Sequence, residues 1–434
     1  MKVLIVNTSE LTGGAAVAAN RLTEGLNTAG VKAKMMVCHK QTNDVTVAPC
    51  GTAVQNKLDF LWERLGIFAA NRLSTANLWK VSTASAGVDI IRTQEFEEAD
   101  IVHLHWVNQG MLSLKGIGRV LDSGKPVVWT MHDMWPMTAI CHHAYECEHY
   151  ADECHSCPLL KHPSRNDLAA RVFRKKRQML EGRTNLTFVA VSEWLARRAR
   201  KSALTGGFPI RVIANALPPE DFTLTDRIDA RTAVEAGEPY VVAFGAARID
   251  DPIKGLQYLT GALRLLTEQG RFRREDVRLL LFGNVKNPKV LDDIPVPYTH
   301  LGYIDDSYRM SQVYSASNIT VSASLYETFG QTLTEAMACG SVPVAFGGSG
   351  QADIITHLKT GYLAERLSVQ SLAEGIEWGL RTSEHGGREL RRELRRSAIR
   401  RYATGVVARQ YVELYNEVRG KRQEVSVTTH CLNS

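Results

Sequence analysis

The chain alternates short apolar runs with amphipathic helical stretches, and it does so twice along its 434 residues. Such runs predict strands at 3–6, 33–37, 101–105, 127–131, 188–191 and 211–213 in the first half, and at 241–245, 279–282, 319–322 and 342–345 in the second. Strands that alternate with helices pair in parallel and are covered by helices on both faces. Because a chain of this length exceeds one ordinary core, the pattern predicts two doubly wound α/β domains.

Two consecutive prolines, Pro218 and Pro219, mark the predicted boundary, since they favour an extended linker. The predicted domains are 1–222 and 236–403. A final helix at 404–420 is predicted from apolar residues at the spacing of one helical face, namely Val407, Tyr411, Leu414, Tyr415 and Val418. The remaining segment, 421–434, shows no periodicity and is predicted to be a disordered tail.

The bulk composition is that of a globular protein without a membrane span. Apolar residues make up 44% and charged residues 23% of the chain, which is ordinary for soluble domains. No stretch of about 18 uncharged apolar residues is present, and the N-terminal apolar run is too short for a signal peptide. We therefore expect a cytoplasmic protein, peripheral at the inner face of the plasma membrane if it touches lipid.

Positive charge is concentrated in two segments of the chain. Residues 161–201 contain 12 Lys and Arg against 3 Asp and Glu, and residues 386–422 contain 11 against 4. Such segments bind anionic lipid or a phosphorylated acceptor. The alternative is that both are solvated helix faces, and the sequence leaves the two interpretations open.

Two cations and two carboxylates follow predicted strands in the second half of the chain. Arg248 and Lys254 follow an apolar strand that ends at Gly245, and they suit a diphosphate, one as a planar fork and the other as a point charge. Glu327 and Glu335 lie eight positions apart across a predicted strand-to-helix turn. Carboxylates there would accept hydrogen bonds from ribose and sugar hydroxyls.

The helix between these carboxylates is predicted to open at Phe329, Gly330 and Gln331. A helix N-terminus presents unpaired backbone N–H groups to phosphate, and Gly330 keeps a side chain out of the way. A strand ending at Gly283 is predicted to lie where the base of the nucleotide binds. The alternative for the two acids is that they only stabilise the helix dipole.

These elements together resemble the retaining glycosyltransferases of family 4, and the resemblance covers most of the chain. It implies the GT-B fold, in which two Rossmann-like domains face each other across a cleft and the last helix crosses back to the N-terminal domain. It also implies that Glu335 holds the ribose hydroxyls, that Glu327 holds the hexose hydroxyls or their surroundings, and that no catalytic metal is needed. The type is that of bacterial exopolysaccharide and capsule enzymes.

The first half carries residues that resemble the acceptor side of that family. Gly13 and Gly14 follow the first strand and resemble the family's glycine loop, which faces the donor diphosphate. His132 and Asp133 follow the strand at 127–131, and by resemblance His132 contacts the donor sugar; a His that only pairs with Asp133 is the alternative. His103 and His105 share one face of the preceding strand, and His105 is predicted to reach the cleft. The dinucleotide-binding glycine spacing is absent.

Four of the eight cysteines form a cluster in an insertion at 141–158: Cys141, Cys147, Cys154 and Cys157. In a cytoplasmic chain this set favours a structural zinc site, although the first spacing is wider than usual. Disulfides or free thiols are the alternatives. Similar insertions occur in relatives that build exopolysaccharide and capsule.

The predicted function is transfer of a sugar from a UDP- or GDP-sugar to a glycan or lipid-linked acceptor. A nucleotide-sugar epimerase on the same fold is an alternative, which would need acid and base groups near C2 and C3 of the sugar. A zinc-dependent module that binds nucleic acid or protein is another, but it leaves Arg248, Lys254, Glu327 and Glu335 unexplained. No nucleic acid partner is expected.

Overall fold

The computed structural model describes the backbone of residues 1–431 and the side chains of residues 1–420. The chain divides into two compact units. The first comprises Met1–Ala214 together with the stretch from Val407 onward, and the second comprises Asn215–Val406. The segment 421–434 is predicted from the sequence to be a disordered tail, whereas its backbone continues the last helix as far as Cys431; residues 432–434 lie outside the described residues.

The first unit contains seven strands and six helices before the linker. Its elements in chain order are β1 (Lys2–Val6), α1 (Gly14–Thr28), β2 (Lys32–Val37), β3 (Val47–Pro49), α2 (Ala53–Ala70), α3 (Gln94–Glu98), β4 (Ile101–Leu104), α4 (Leu114–Asp122), β5 (Val127–Met131), α5 (Leu168–Leu180), β6 (Leu186–Ala190), α6 (Glu193–Lys201) and β7 (Ile210–Val212). Every pairing in the sheet is parallel, in the order β3-β2-β1-β4-β5-β6-β7. All residues of β4, β5 and β6 are buried, because helices cover both faces of the sheet.

The second unit repeats this architecture with six strands. Its elements are α7 (Arg227–Ala233), β8 (Tyr240–Arg248), α8 (Leu256–Glu268), β9 (Val277–Asn284), β10 (Tyr298–His300), α9 (Ser307–Ala316), β11 (Ile319–Ser322), α10 (Gln331–Ala338), β12 (Val342–Phe346), β13 (Tyr362–Ala364) and α11 (Val369–Tyr402). The parallel strands run in the order β10-β9-β8-β11-β12-β13. The predicted fold class, two parallel-sheet Rossmann-like domains, is confirmed.

A last helix, α12 (Thr404–Cys431), enters the first unit from Val407 onward. Single-turn 3₁₀ helices complete the described elements, at Ile90–Arg92, Trp135–Met137, His149–Ala151, Pro252–Lys254, Arg274–Asp276, Pro288–Leu291 and Gly350–Asp353. Among the described residues, no helix combines the length and the apolarity needed to cross a membrane.

All ten predicted strands are present, with ends shifted by a few residues at most. The sequence missed β3, β10 and β13, which are three residues each and lie at or near a sheet edge. Runs this short carry little apolar periodicity, and of the three-residue strands in the described part of the chain only β7 is predicted, at 211–213.

The division between the units falls a few residues before the predicted boundary at 222. The Leu217 amide donates to the Tyr402 carbonyl over 2.8 Å, and Leu217 forms a bridge with Ala403. The prolines at 218 and 219 therefore belong to the second unit, because this contact ties the start of the linker to the end of α11.

Most helices begin at a residue whose side chain caps the first turn, whereas three begin at glycine. Thr52, Ser113, Asp167 and Ser192 accept hydrogen bonds from the first turns of α2, α4, α5 and α6. By contrast α1, α8 and α10 begin after glycines that offer no side-chain cap, at positions 13, 255 and 330. Each of the three follows the carboxyl end of a parallel strand, where ligands bind in such sheets.

Candidate active site

Two glycines allow the ends of β8 and β9 to approach each other closely. A Cβ on Gly245 would lie 2.1 Å from the ring of Phe282, and a Cβ on Gly283 would lie 1.7 Å from the carbonyl oxygen of Ala246. Gly283 also has a φ of +120°, which side chains rarely adopt. The register between the two strands shifts between Gly245 and Arg248. Both predicted glycines therefore shape the strand end from which Arg248 projects.

Arg248 is the last residue of β8, and its guanidinium lies among acids of its own loop. Its NH2 lies 3.0 Å from Asp251 Oδ2, and its Nε lies 3.6 Å from Asp250 Oδ1. Neither Nε nor that Asp250 oxygen has a hydrogen-bond partner among the described residues, although both are buried. The Arg248 side chain is 39% exposed, so part of its fork remains open to an anion.

Lys254 and Glu327, which are far apart in the sequence, form an ion pair. Lys254 Nζ donates to Glu327 Oε2 over 3.0 Å. The Glu327 carboxylate raises the pKa of Lys254, so the ammonium keeps its charge at neutral pH. Gly255 makes this placement possible, because it has a φ of +77° and a Cβ there would lie 2.0 Å from the Ala323 carbonyl oxygen.

The turn after Glu327 leads into α10 as the sequence predicts. Gly330 has a φ of +109° and precedes the first helical residue, Gln331. Phe329 is buried with its ring edge-on to Tyr402, 5.6 Å between centroids, and so anchors the turn. Within α10, Glu335 is nearly buried and accepts a hydrogen bond from the Tyr314 hydroxyl over 3.3 Å.

Sequence reasoning missed a second glycine-rich turn at the same edge of the sheet. It follows β12, and the Gly350 amide donates to the Glu327 carbonyl oxygen over 2.7 Å. The fully buried Gln351 accepts from Ser322 and donates to the Ser324 and Phe346 carbonyls, which fixes three loops together. The buried Ser349 hydroxyl has no partner among the described residues. The run Gly-Gly-Ser-Gly after a strand was the available signal.

In the first unit, the predicted glycine loop opens α1. Gly13 has φ +94° and ψ 159°, and no atom lies within 4 Å of a Cβ built there. The loop is held from the other side by Gln41, whose Oε1 accepts from the Leu11 amide and the Thr12 hydroxyl. The buried Glu10 accepts hydrogen bonds from Gln41 and Thr42, and these outweigh the effect of burial and lower its pKa. Position 13 therefore places no side chain over the start of α1.

His132 and His105 form a hydrogen-bonded pair at the ends of β5 and β4. His105 Nδ1 lies 2.8 Å from His132 Nε2, and the rings are stacked 5.1 Å apart. Burial lowers the pKa of His132 to about 4, and burial with the neighbouring histidines lowers that of His105. Both rings are therefore neutral at physiological pH, so one donates its N–H and the other accepts. His105 Nε2 is buried without a partner among the described residues.

Asp133 has its carboxylate engaged by protein donors. Oδ2 accepts from Trp106 Nε1 over 2.7 Å and from His142 Nδ1 over 2.6 Å, while Oδ1 accepts from the Trp135 amide over 2.8 Å. Burial acts to raise the pKa of Asp133, but the contacts with His142, the Trp135 amide and the nearby His143 together lower it. The cleft role predicted for Asp133 stays a prediction, and the geometry supports a positioning role for the loop that carries His132.

His103 takes part in anchoring the last helix to the sheet. Its two ring nitrogens lie 2.6 Å from the Tyr415 hydroxyl and 2.8 Å from the Thr130 hydroxyl, and Thr130 lies 2.9 Å from the Tyr411 hydroxyl. Burial lowers the pKa of His103 to about 3, which keeps it neutral. The polar contacts explain why α12, from residue 407, belongs to the first unit.

The four clustered cysteines are free thiols, half-buried or buried. Burial raises the pKa of Cys154 to about 12 and that of Cys157 to about 11. Burial also raises the pKa of Cys141, and the nearby thiols of the other three cysteines raise it further. Four cysteine thiols are ligands that suit zinc. Within residues 1–420, however, no three His, Cys, Asp or Glu side chains are arranged to hold a metal ion. Zinc at this cluster stays a prediction.

Many cations of the two basic segments have partners within the fold. Lys176 is fully buried, donates to the Trp135 and Thr138 carbonyls, and lies 3.2 Å from the centre of the Trp135 ring. It is therefore wrong to count Lys176 in an exposed basic face. In α11, Arg391 and Arg395 donate to backbone carbonyls. Arg171 and Lys175 on α5 are exposed.

Comparison with known proteins matches each half of the chain to a family of glycosyltransferases. Residues 12–221 match the family described as Glycosyltransferase Family 4, and residues 226–401 match that described as Glycosyl transferases group 1. A phosphatidyl-myo-inositol mannosyltransferase of Mycobacterium tuberculosis is 29% identical over 248 residues, which cover 56% of this chain and 62% of that protein. A putative colanic acid biosynthesis glycosyl transferase, WcaC of Escherichia coli K12, is 28% identical over 127 residues, covering 27% of this chain and 31% of that one.

Solved structures match the fold over nearly the whole chain. Sucrose-phosphate synthase of Thermosynechococcus elongatus has a TM-score of 0.65 at 17% identity, covering 97% of this chain and all of that one. Anabaena HepE, in complex with UDP and glucose, has a TM-score of 0.62 at 16% identity, covering 96% and 100%. Since two glycosyltransferase families match in succession and the structural neighbours have the GT-B fold, this chain is a glycosyltransferase family 4-like protein with the GT-B fold.

Proposed function

We propose that this protein is a retaining hexosyltransferase that moves a sugar from a UDP- or GDP-sugar to a glycan or lipid-linked acceptor. The observation that carries the proposal is the ion pair between Lys254 and Glu327, which lies at the loop that opens α10. A cation, a sugar-binding carboxylate and a helix N-terminus at one sheet edge are what a nucleotide-sugar requires.

The diphosphate is the part of the donor that the second unit is best suited to hold. Arg248 offers the open part of its guanidinium fork, and Lys254 keeps its charge because Glu327 lies beside it. The amides at the start of α10 follow Gly330, which has no side chain to cover them. These groups would stabilise the charge that develops on the departing nucleoside diphosphate, a task that other enzymes give to a metal ion.

The carboxylates would orient the rest of the donor. Glu335 is held by Tyr314 and is assigned to the ribose hydroxyls, while Glu327 is assigned to the hexose hydroxyls. The neutral His132 would hydrogen-bond to a sugar hydroxyl, with His105 supporting its ring. In the first unit, the amides after Gly13 are suited to an anion.

The proposed reaction occurs on one face of the sugar. The bond between C1 and the phosphate oxygen breaks, the bond between C1 and the acceptor oxygen forms, and the acceptor proton passes to the departing phosphate. Because the acceptor oxygen attacks C1 on the face from which the phosphate departs, the anomeric configuration is retained, and no enzyme carboxylate forms a covalent intermediate. No step uses a metal ion.

The relatives support the donor class and suggest a pathway. HepE is described in complex with UDP and glucose, the mycobacterial relative as a mannosyltransferase, and WcaC as a colanic acid biosynthesis enzyme. The chain spans about 62% of the length of the first of these curated relatives, so acceptor and pathway belong to the proposal. We assign it to bacterial surface polysaccharide biosynthesis at the cytoplasmic face of the membrane, with the segments 161–201 and 386–422 as contacts for anionic lipid.

A donor screen followed by product analysis tests the proposal. Binding of UDP, GDP or their sugars should raise the melting temperature, since a ligand at about a hundred times its dissociation constant adds roughly 2.7 kcal/mol. With donor and a bacterial glycolipid extract, NMR of the product should show the anomeric configuration of the donor. An epimer formed from donor alone would identify a nucleotide-sugar epimerase instead, and an inverted linkage would contradict the retaining mechanism.

A further inference from the structure

Two arginines of the second unit have buried nitrogen atoms that make no hydrogen bond to any described residue. Arg227, the first residue of α7, leaves Nε and Nη2 without a partner, and Arg391 of α11 leaves Nε without one. Arg391 is only 7% exposed. The buried hydroxyl of Thr225 also lacks a partner in the described part of the chain. Because buried polar groups are normally hydrogen-bonded, these three side chains point to a ligand that the chain itself does not supply.

The three side chains lie close together. Arg391 Nη2 donates to the Thr225 carbonyl over 2.8 Å. Burial, together with the positive charges of the neighbouring Arg391 and Arg231, lowers the pKa of Arg227 to about 10. Burial likewise lowers the pKa of Arg391. Each guanidinium therefore occupies a place that disfavours its own charge, whereas a completed ion pair would favour it.

The carboxylates near these arginines do not balance their charge. Asp226 Oδ2 lies 3.6 Å from Arg388 Nη2, while its Oδ1 caps the first turn of α7. Glu389 lies 4.0 Å from Arg392. The four guanidinium groups, which we call the arginine cluster, are those of Arg227, Arg388, Arg391 and Arg392. Two carboxylates therefore accompany four positive charges, and a charge that is partly buried without a counter-charge is costly.

A cavity of about 270 Å³ lies at the arginine cluster. Its lining residues are Leu224, Thr225, Asp226, Arg388, Arg391 and Arg392. The three arginines of the lining are at positions i, i+3 and i+4 of α11, so they share one face of that helix. The volume is below the usual range for sites that hold drug-sized ligands, so the cavity suits a small ion or metabolite rather than a whole nucleotide-sugar.

This cavity and the candidate donor site lie at opposite edges of the second sheet. Arg391 donates to the carbonyls of Ser315 and Cys339, which precede β11 and β12 in the chain. Glu327 and Gly350 follow the carboxyl ends of the same two strands. Since the strands are parallel, residues that precede them and residues that follow them are separated by the length of the sheet.

We infer that the arginine cluster binds a soluble phosphate dianion, either inorganic phosphate or the phosphoryl group of a small phosphomonoester. Guanidinium groups present pairs of donors that match the oxygens of phosphate. Arg388, Arg391 and Arg392 line the cavity and would donate to the ion, whose two negative charges would balance the cluster. The inference goes beyond sugar transfer. It is also separate from the lipid contact assigned to 386–422, because the buried Arg391 is out of reach of a bilayer surface.

Isothermal calorimetry on the full chain tests this site. The probes are inorganic phosphate and glycerol 3-phosphate, with the ionic strength held constant by chloride, and the probe that binds more tightly identifies the form of the ligand. About one phosphate should bind per chain, and Arg388→Gln/Arg392→Gln should weaken its binding about tenfold or more. Arg396→Gln/Arg400→Gln is the matched control. It removes two exposed arginines of the same helix that pair with Glu393, so it should bind phosphate as wild type does.

Phosphate also suits the proposed donor site, so the titration is repeated in Arg248→Ala. Binding should persist in this variant, since Arg248 lies at the other edge of the sheet. Loss of binding in Arg248→Ala would assign the phosphate to the donor site and overturn the inference. Unchanged binding in folded Arg388→Gln/Arg392→Gln, or no binding of either probe to the wild-type chain, would also overturn it.

A stability measurement tests the missing counter-charge independently. Arg227→Met keeps an apolar stem and removes the buried charge, so in chloride alone its melting temperature should be higher than that of the wild-type chain. The rise in melting temperature that phosphate gives should be smaller in this variant than in the wild type. A lower melting temperature in chloride would show that Arg227 already has its counter-charge, which contradicts the inference.

Discussion

Lys254 Nζ lies 3.0 Å from Glu327 Oε2, although 73 positions separate the two residues in the chain. The contact joins the loop after β8 to the turn that opens α10. Because the carboxylate raises the pKa of the lysine, the ammonium is charged before any donor arrives. A diphosphate would therefore meet a positioned cation rather than one that must first be ordered.

Removal of either cation should mainly impair the chemical step. We expect Lys254→Ala and Arg248→Ala each to lower kcat by about a hundredfold or more. This is the typical cost in other enzymes of removing one hydrogen-bond donor to the charge that develops in the transition state. Steady-state kinetics with the best donor measures this. Arg273→Ala is the matched control, since Arg273 is an exposed cation of the same unit that pairs with Asp276, and it should behave as wild type.

Turnover should also persist in EDTA, because the two cations take the place of a catalytic metal in the proposed reaction. Loss of activity in a chelator, with an unchanged melting temperature, would show that a metal acts in catalysis and that the cationic site is insufficient.

The two carboxylates should separate nucleotide binding from sugar transfer. Glu335→Gln keeps the size of the side chain but weakens its acceptance of two ribose hydroxyl protons, so the affinity for UDP or GDP should fall about tenfold or more. Glu327→Gln should change nucleotide affinity less and kcat more. Isothermal calorimetry and kinetics on the same preparations compare the two, and equal nucleotide affinity in wild type and Glu335→Gln would refute the ribose assignment.

Stability of the first unit should fall as the pH falls below about 6.5. The pKa of His132 is about 4 in the fold and about 6.5 in the unfolded chain, so between these values only the unfolded chain takes up the proton. From pH 7.5 to 5.5 this one group should cost about 1 kcal/mol of unfolding free energy, or roughly 2 to 4 °C in melting temperature. His132→Gln should show a decrease smaller by that amount. An identical pH dependence in the two proteins would mean that His132 is not held neutral.

The cysteine cluster makes a prediction about metal content. Four thiolates around zinc would form a closed tetrahedral site and stabilise the insertion at 141–158. Metal analysis of protein purified without a metal-binding tag should give about one zinc per chain, and Cys154→Ser with Cys157→Ser should abolish it and lower the melting temperature. Cys339→Ser is the control, since Cys339 is a buried free thiol of the second unit. Metal-free folded protein with four titratable thiols would exclude zinc.

The parallel strands, and the positions of Arg248 and His132 at the carboxyl ends of two of them, could be predicted from the sequence because both depend on local pattern. Buried parallel strands are continuous apolar runs, and the residues that follow them, such as Arg248 and His132, lie at the carboxyl edge of the sheet wherever the rest of the chain goes. The short edge strands β3, β10 and β13 and the turn at Gly350 were not predicted, because each has too few residues to show a recognisable pattern.

Contacts between distant segments were decided by the tertiary structure alone. The sequence does not show that His105 pairs with His132, or that Trp106 and His142 donate hydrogen bonds to Asp133. Nor does it show that Lys176 is buried within a run of cations, since each of these contacts depends on which strands become neighbours. The orientation of α2 is the clearest case. Its apolar spacing shows that one face is hydrophobic, but only the buried bonds of Glu63 and Arg64 determine that this face points outward, because periodicity defines a face without defining the side on which the core lies.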